Sequence, residues 1–97
     1  MVEFGDGQRL DAWLWRARFF KTRSLAAAVV AKGRVRVNGD RVAKASRQVR
    51  AGDVLTFPQG DAIRVVRVVD FAERRGPAAE ARLLYESVED DRPPSDA

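Results

Sequence analysis

The side chains with chemistry to offer are cations, and they recur at short intervals in one half of the chain. Lys21 and Arg23 flank Thr22, and Arg34 and Arg36 alternate with Val35 and Val37 inside "KGRVRVNGDRVAK", a stretch that also holds Lys32, Arg41 and Lys44. Arg9 and Arg16 stand before them and Arg47 after. Groups of this kind bind anionic oxygen, Arg as a planar fork and Lys as a compact point charge. Between Arg9 and Arg50 there are twelve Lys or Arg against two acids, whereas Ala51 to Ala97 has six against ten. The net charge of +4 therefore conceals a basic front and an acidic rear. Such segregation is the electrostatic footprint of a polyanion partner, and nucleic acid is the commonest polyanion inside a cell.

Composition narrows the chemistry further. The 97 residues include no histidine and no cysteine, which removes the usual general base, the thiolate nucleophile, disulfides and the common zinc ligands. From Arg9 to Phe57 the only carboxylates are Asp11, Asp40 and Asp53, and none forms a pair of acids. Asp11 belongs to the first turn of a helix, where the dipole favours a negative charge by about 0.3–1 kcal/mol. Asp53 belongs to a turn. An enzyme is not expected, nor a metal or a cofactor. No stretch approaches the ~20 apolar residues of a membrane span, and no secretory signal opens the chain. One small cytoplasmic domain without membrane contact, and a monomer, is the expectation.

The elements that must position the cations can be read from spacing. Residues 1–8 show no period and read as a loose arm. "RLDAWLWRARFF" sets Leu10, Trp13, Leu14, Ala17 and Phe20 on one stripe, predicting a first helix to Phe20. Trp13 on that stripe reads as core, while Trp15 and Phe19 fall on a neighbouring face. "KTRSLAAAVVAKG" predicts a second helix, with Thr22 as its N-cap and Gly33 as its left-handed stop. Val35 and Val37 alternate with Arg34 and Arg36 up to Asn38-Gly39, the strongest short-range hairpin signal. A turn at Gly52-Asp53, a short strand through Val54, Leu55 and Phe57, and a longer one over "AIRVVRVVDF" follow, the doubled valines suggesting a bulge or two buried faces. "AAEARLLYES" reads as a short helix docking Leu83, Leu84 and Tyr85 on the sheet. "EDDRPPSDA", within residues 87–97, reads as a disordered acidic tail. The fold class is α+β: two helices, then a small antiparallel sheet with a basic hairpin, then a short C-terminal helix, with the domain spanning residues 9–86.

The start of helix two offers free N–H groups to a phosphate, and a hairpin folded back beside it would complete one concave positive surface. Helix, turn, helix and hairpin also describe winged DNA-binding regulators. A recognition helix must however carry long polar side chains to read bases, and "SLAAAVVA" carries almost none. Recognition of backbone shape, which suits structured RNA, is the favoured reading.

"RLDAWLWRARFFKTRSLA", joined to "KGRVRVNGDRVAK", resembles the RNA-binding domain named after ribosomal protein S4. With the late "EARLLYE" it is more narrowly similar to the small ribosome-associated heat shock proteins, and the likeness runs from Arg9 to Glu86. The resemblance implies binding to ribosomal RNA on the large subunit, with peptidyl-tRNA nearby, in the rescue of stalled subunits, and no catalysis. It also implies that Arg9, Lys21, Thr22, Arg23, Arg34, Asn38 and Lys44 face RNA, and that Trp13, Leu14 and Ala17 pack. Arg16, Lys32, Arg36, Arg41 and Arg47 join the expected RNA surface on charge and placement. The acidic tail departs from the basic C-terminal extension of longer members.

Overall fold

The computed structural model describes residues 7–88; the expected arm over residues 1–6 and the tail from residue 89 lie outside the described residues. Strand β1 (Gln8–Arg9) leads directly into helix α1 (Leu10–Arg16), and α2 (Arg23–Ala31) follows. Then come β2 (Val35–Val37), β3 (Asp40–Val42), β4 (Gln48–Val49), β5 (Val54–Gln59) and β6 (Ala62–Val68). A four-residue helix α3 (Ala78–Ala81) passes through a 3-10 turn (Arg82–Leu84) into β7 (Tyr85–Ser87). The strands form an antiparallel five-stranded sheet ordered β3-β2-β5-β6-β7 and a two-stranded ladder of β1 with β4.

The stripe on α1 is the core of the molecule. Leu10, Trp13, Leu14 and Ala17 are buried against Ala26 and Val30 of α2 and against Val35, Val37, Leu55, Phe57, Val66 and Val68 of the sheet. Trp13 has no exposed surface, and its Nε1 donates to the Asp70 carbonyl at 3.0 Å. Truncating such a side chain costs about 3–5 kcal/mol, a large share of the 5–15 kcal/mol typical of a domain. Trp13 holds the fold and is not presented to a base.

Both helices end in the same device. In α2, Gly33 has φ +74, its N–H bonds the Val30 carbonyl at 2.8 Å, and the next N–H, of Arg34, bonds the Val29 carbonyl at 3.3 Å. This is a Schellman end, as Gly33 predicts. In α1 the left-handed residue is Arg18, φ +68, with its N–H on the Trp15 carbonyl and that of Phe19 on the Leu14 carbonyl, each at 3.0 Å. Helix one therefore stops four residues before the expected end at Phe20. The reversal swings Phe19, 5 % exposed, into the core and leaves Phe20 at its margin. Holding a side chain other than glycine in this conformation costs roughly 1–2 kcal/mol.

The hairpin matches expectation: Asn38 and Gly39 have φ +53 and +90, and Val35 stands opposite Val42. Three other readings change. Gln8, assigned to the arm, pairs with Val49 and is buried. Of the two readings of the doubled valines in β6, the bulge fails, since β5 and β6 pair in unbroken register from Val54–Arg67 to Gln59–Ala62, while cover on both faces holds at Val65, half-buried, and Val66, buried. The expected C-terminal helix lasts one turn before the chain joins the sheet edge as β7, so Leu84 is buried and Leu83 is 69 % exposed. Among the described residues no helix is long and apolar enough to cross a membrane.

Candidate nucleic-acid interface

The basic surface is built around one buried carboxylate. Asp11 Oδ1 and Oδ2 accept from Arg9 Nε at 3.1 Å and Nη2 at 3.0 Å, and Arg23 Nε stands 3.6 Å from Oδ2. The Asp11 side chain is 5 % exposed, while those of Arg9 and Arg23 are 47 % and 42 % exposed. Asp11 thus sits beneath two guanidiniums and fixes both where α1 meets the start of α2. Burial alone would raise its pKa. The Arg9 hydrogen bonds, the Ala12 N–H and the charges of Arg23 and Arg9 outweigh burial and hold the carboxyl below its ordinary range. Arg9 is raised in turn by the Asp11 hydrogen bond and charge.

Thr22 caps α2 as expected, its Oγ1 accepting from Leu25 N at 3.0 Å. Lys21 and Thr22 are exposed beside Arg23. An anion here would meet the first-turn N–H groups and two flanking cations together. Beyond Arg23, nothing on the exposed part of α2, at Ser24, Leu25, Ala28 and Ala31, has the reach to read a base edge.

The hairpin adds the second group. Arg36 stands directly opposite Arg41 on one side and Thr56 on the other, and Arg36 Nη1 also donates to the Gly39 carbonyl at 3.2 Å. Like charges facing across a strand pair are unfavourable in isolation, and an anionic partner relieves that repulsion. The placement differs from expectation, however. The stem of Arg41 packs over Gly33, so the hairpin stands at the C-terminal end of α2, close to Lys32 and Arg34. Nine residues of helix, about 13 Å of rise, separate it from Thr22.

Residues 44–50 join the two groups. Leu10 N donates to the Arg47 carbonyl at 2.8 Å and Asp11 N to the Ala45 carbonyl at 3.2 Å, and Arg9 pairs with Gln48. This docks the segment carrying Lys44, Arg47 and Arg50 against the start of α1, beside Arg9. A shallow polar cavity of about 390 Å³, lined by Arg47, Gln48, Arg50 and Asp53, opens along this seam. Two-residue strands carry no readable period, so spacing gave no sign of this seam; the charges of Lys44 and Arg47 were its only signal.

Two further expected contact residues, Asn38 and Arg16, are tied to other parts of the fold. Asn38 Nδ2 donates to Asp53 Oδ1 at 3.1 Å, and its Oδ1 accepts from Val54 N at 2.9 Å. Its amide ties the hairpin to β5. Arg16 is half-buried, donates from Nη1 to the Ala72 carbonyl at 3.0 Å, and has its Nε buried without a hydrogen-bond partner among the described residues. Burial and the nearby Arg23 charge lower its pKa. It helps to hold a strap over residues 70–76, whose carbonyls also accept from Gln8, Trp13 and Arg18, and whose Arg75 donates to the Trp15 carbonyl.

The S4 domain family matches residues 8–55, from β1 into β5. Heat shock protein 15 of Escherichia coli (strain K12) is 49% identical over 80 residues, covering 82% of this chain and 59% of that protein. Small ribosomal subunit protein uS4 of Dichelobacter nodosus is 37% identical over 71 residues, 71% of this chain and 34% of that protein. Among solved structures, trimeric Heat Shock Protein 15 of Vibrio cholerae superimposes with a TM-score of 0.79 at 42% identity, covering 84% of this chain and 81% of that one. The chain spans about three fifths of the length of the heat shock protein it matches.

Proposed function

This chain belongs to the heat shock protein 15 family of S4-domain proteins, and from that premise we propose that it is a non-enzymatic RNA-binding protein of the ribosome. The observation that carries the reading is the continuous basic seam: Arg9 and Arg23 held over Asp11, Lys44 and Arg47 docked beside them, and Arg36 opposed to Arg41 on the hairpin. Its donors are guanidiniums, ammoniums and helix N–H groups, which grip phosphates, and beyond Arg23, which is paired with Asp11, no exposed side chain on α2 is long and polar enough to read sequence. A double-stranded or folded RNA recognised by shape fits that donor set. The likeness to a ribosomal protein over 71 residues supports ribosomal RNA as the target.

The finer statements rest on the family resemblance. The large subunit is the proposed site, with peptidyl-tRNA as a neighbour during rescue of stalled subunits in the cytoplasm. The reading as a non-enzyme rests on composition. The winged-helix DNA alternative is disfavoured by the bare face of α2. A monomer remains the working state on RNA; the trimer of the Vibrio cholerae relative makes self-association its competitor, and light scattering with and without RNA separates the two.

Co-sedimentation with purified large subunits tests the reading. Binding should fall with salt along a log–log slope of roughly −4 to −7 for six to eight phosphate contacts. Arg23→Glu or Arg36→Glu should each weaken it about tenfold and shorten the slope by about one. Salt-insensitive sedimentation, or full binding by both variants, refutes the interface.

A further inference from the structure

A cavity of about 180 Å³ lies beneath the turn joining α1 to α2, away from the hairpin. Its walls include Arg18 and Phe19 from that turn, Gln59 and Arg64 from the β5–β6 hairpin, and Arg82 and Tyr85 from the C-terminal segment. No acidic residue lines it among the described residues. Three arginines and two aromatic rings thus meet from parts of the chain far apart in sequence, and the phosphate-gripping seam uses none of them.

Arg18 is the informative residue. It occupies the left-handed position that Gly33 fills in α2, and a non-glycine residue kept in such a conformation directs attention to a role for its side chain. Its Nε donates to the Gly76 carbonyl at 2.7 Å, which anchors the guanidinium while its terminal nitrogens have no hydrogen-bond partner among the described residues. Arg82 is exposed and likewise has no such partner among the described residues. Arg64 is engaged: it donates to Gln59 Oε1 at 2.9 Å and lies over the Phe19 ring at 5.3 Å, stiffening the wall. Phe19 and Tyr85 contact each other with centroids 4.6 Å apart.

We propose that this cavity takes one unpaired base of the bound RNA, with an adjoining phosphate held by Arg18 and Arg82. Its volume is below the ~300–1,000 Å³ that encloses a drug-sized ligand, so it admits a single heterocycle and leaves the sugar and phosphate at the mouth. Tyr85, half-buried and sharing the cavity wall with the Arg18 and Arg82 guanidiniums, is the ring that can receive an unstacked base, while Phe19, 5 % exposed and covered by Arg64, backs it; a bare anion would need no such ring. Arg18 precedes Lys21 by three residues, at most about 11 Å of chain. A strand whose phosphates lie at the start of α2 is therefore within reach of the mouth. The inference rests on the RNA-binding reading and adds to it a preference for RNA with an extruded nucleotide.

The test compares two RNAs with the full chain: a blunt hairpin duplex, and the same duplex carrying one bulged 2-aminopurine. The bulged RNA should bind roughly tenfold tighter, with the 2-aminopurine fluorescence quenched on binding. Arg82→Ala and Arg18→Gly should each abolish the preference and the quench while keeping the affinity for the blunt duplex. Arg18→Gly relieves roughly 1–2 kcal/mol of backbone strain while losing the hydrogen bond to Gly76, about 0.5–1.5 kcal/mol, so its melting temperature should stay close to that of the wild type, which separates loss of the site from loss of the fold. Equal affinity for the two RNAs without quenching overturns the cavity proposal and leaves the basic seam standing. Variants that weaken both RNAs alike overturn it as well. Failure of the wild-type chain to bind either RNA at low salt overturns the RNA-binding reading itself.

Discussion

Asp11 shows how a single acid can serve a basic surface. It is buried under Arg9 and Arg23, and its pKa is held below the ordinary value of about 3.9. The folded state therefore favours the charged form, and this contribution to stability is complete above that ordinary value and is lost as pH falls through the folded pKa. Asp11→Asn should lower stability by about 1 kcal/mol at pH 7, and urea unfolding should show the difference from wild type shrinking toward zero as the wild-type carboxyl protonates. The same variant separates positioning from charge. Removing a negative charge would by itself strengthen RNA binding. A filter-binding affinity that falls instead, despite the added net positive charge, identifies the carboxylate as what aims Arg9 and Arg23; a rise assigns it to stability alone.

Among the elements, the hairpin ties turn geometry to function most directly. Gly39 has φ +90 with open space where a Cβ would stand, so a substitution there acts through backbone strain alone. Gly39→Val should cost roughly 1–2 kcal/mol and weaken RNA binding several-fold with net charge unchanged. Gly39→Asn, of a type that tolerates the left-handed region, should retain most of both in thermal melts and mobility shifts. This element was legible in the sequence because Asn38-Gly39 and the alternating valines point one way, as α2 was from its cap residues Thr22 and Gly33. The end of α1 was not, because Arg18 stands where glycine gives the usual signal and the apolar stripe runs on through Phe20. The pairing of Gln8 with Val49 was equally hidden, two residues being too few for a period. As a result the cations could be listed from sequence, but their arrangement along residues 44–50 and the occupation of Asn38 and Arg16 could not.

At the scale of the molecule, the matched family region and the folding unit do not coincide. Residues 8–55 carry the whole basic seam, yet their apolar faces close on Phe57, Val66, Val68 and Leu84. A fragment of residues 8–55 should lack a cooperative thermal transition by circular dichroism, whereas one spanning 7–88 should melt in a single step. A cooperative melt of the shorter piece would show that the later strands decorate a self-sufficient motif. The strap over residues 70–76 adds a consequence in time. Donors on Gln8, Trp13, Arg16 and Arg18 await carbonyls that are synthesised more than fifty residues later. At about 5–20 residues per second, a growing chain that has just completed the seam's last arginine waits roughly one to six seconds for its backing. During that interval the newborn protein carries its positive charge on an unfinished scaffold, at the surface of the very particle proposed as its target.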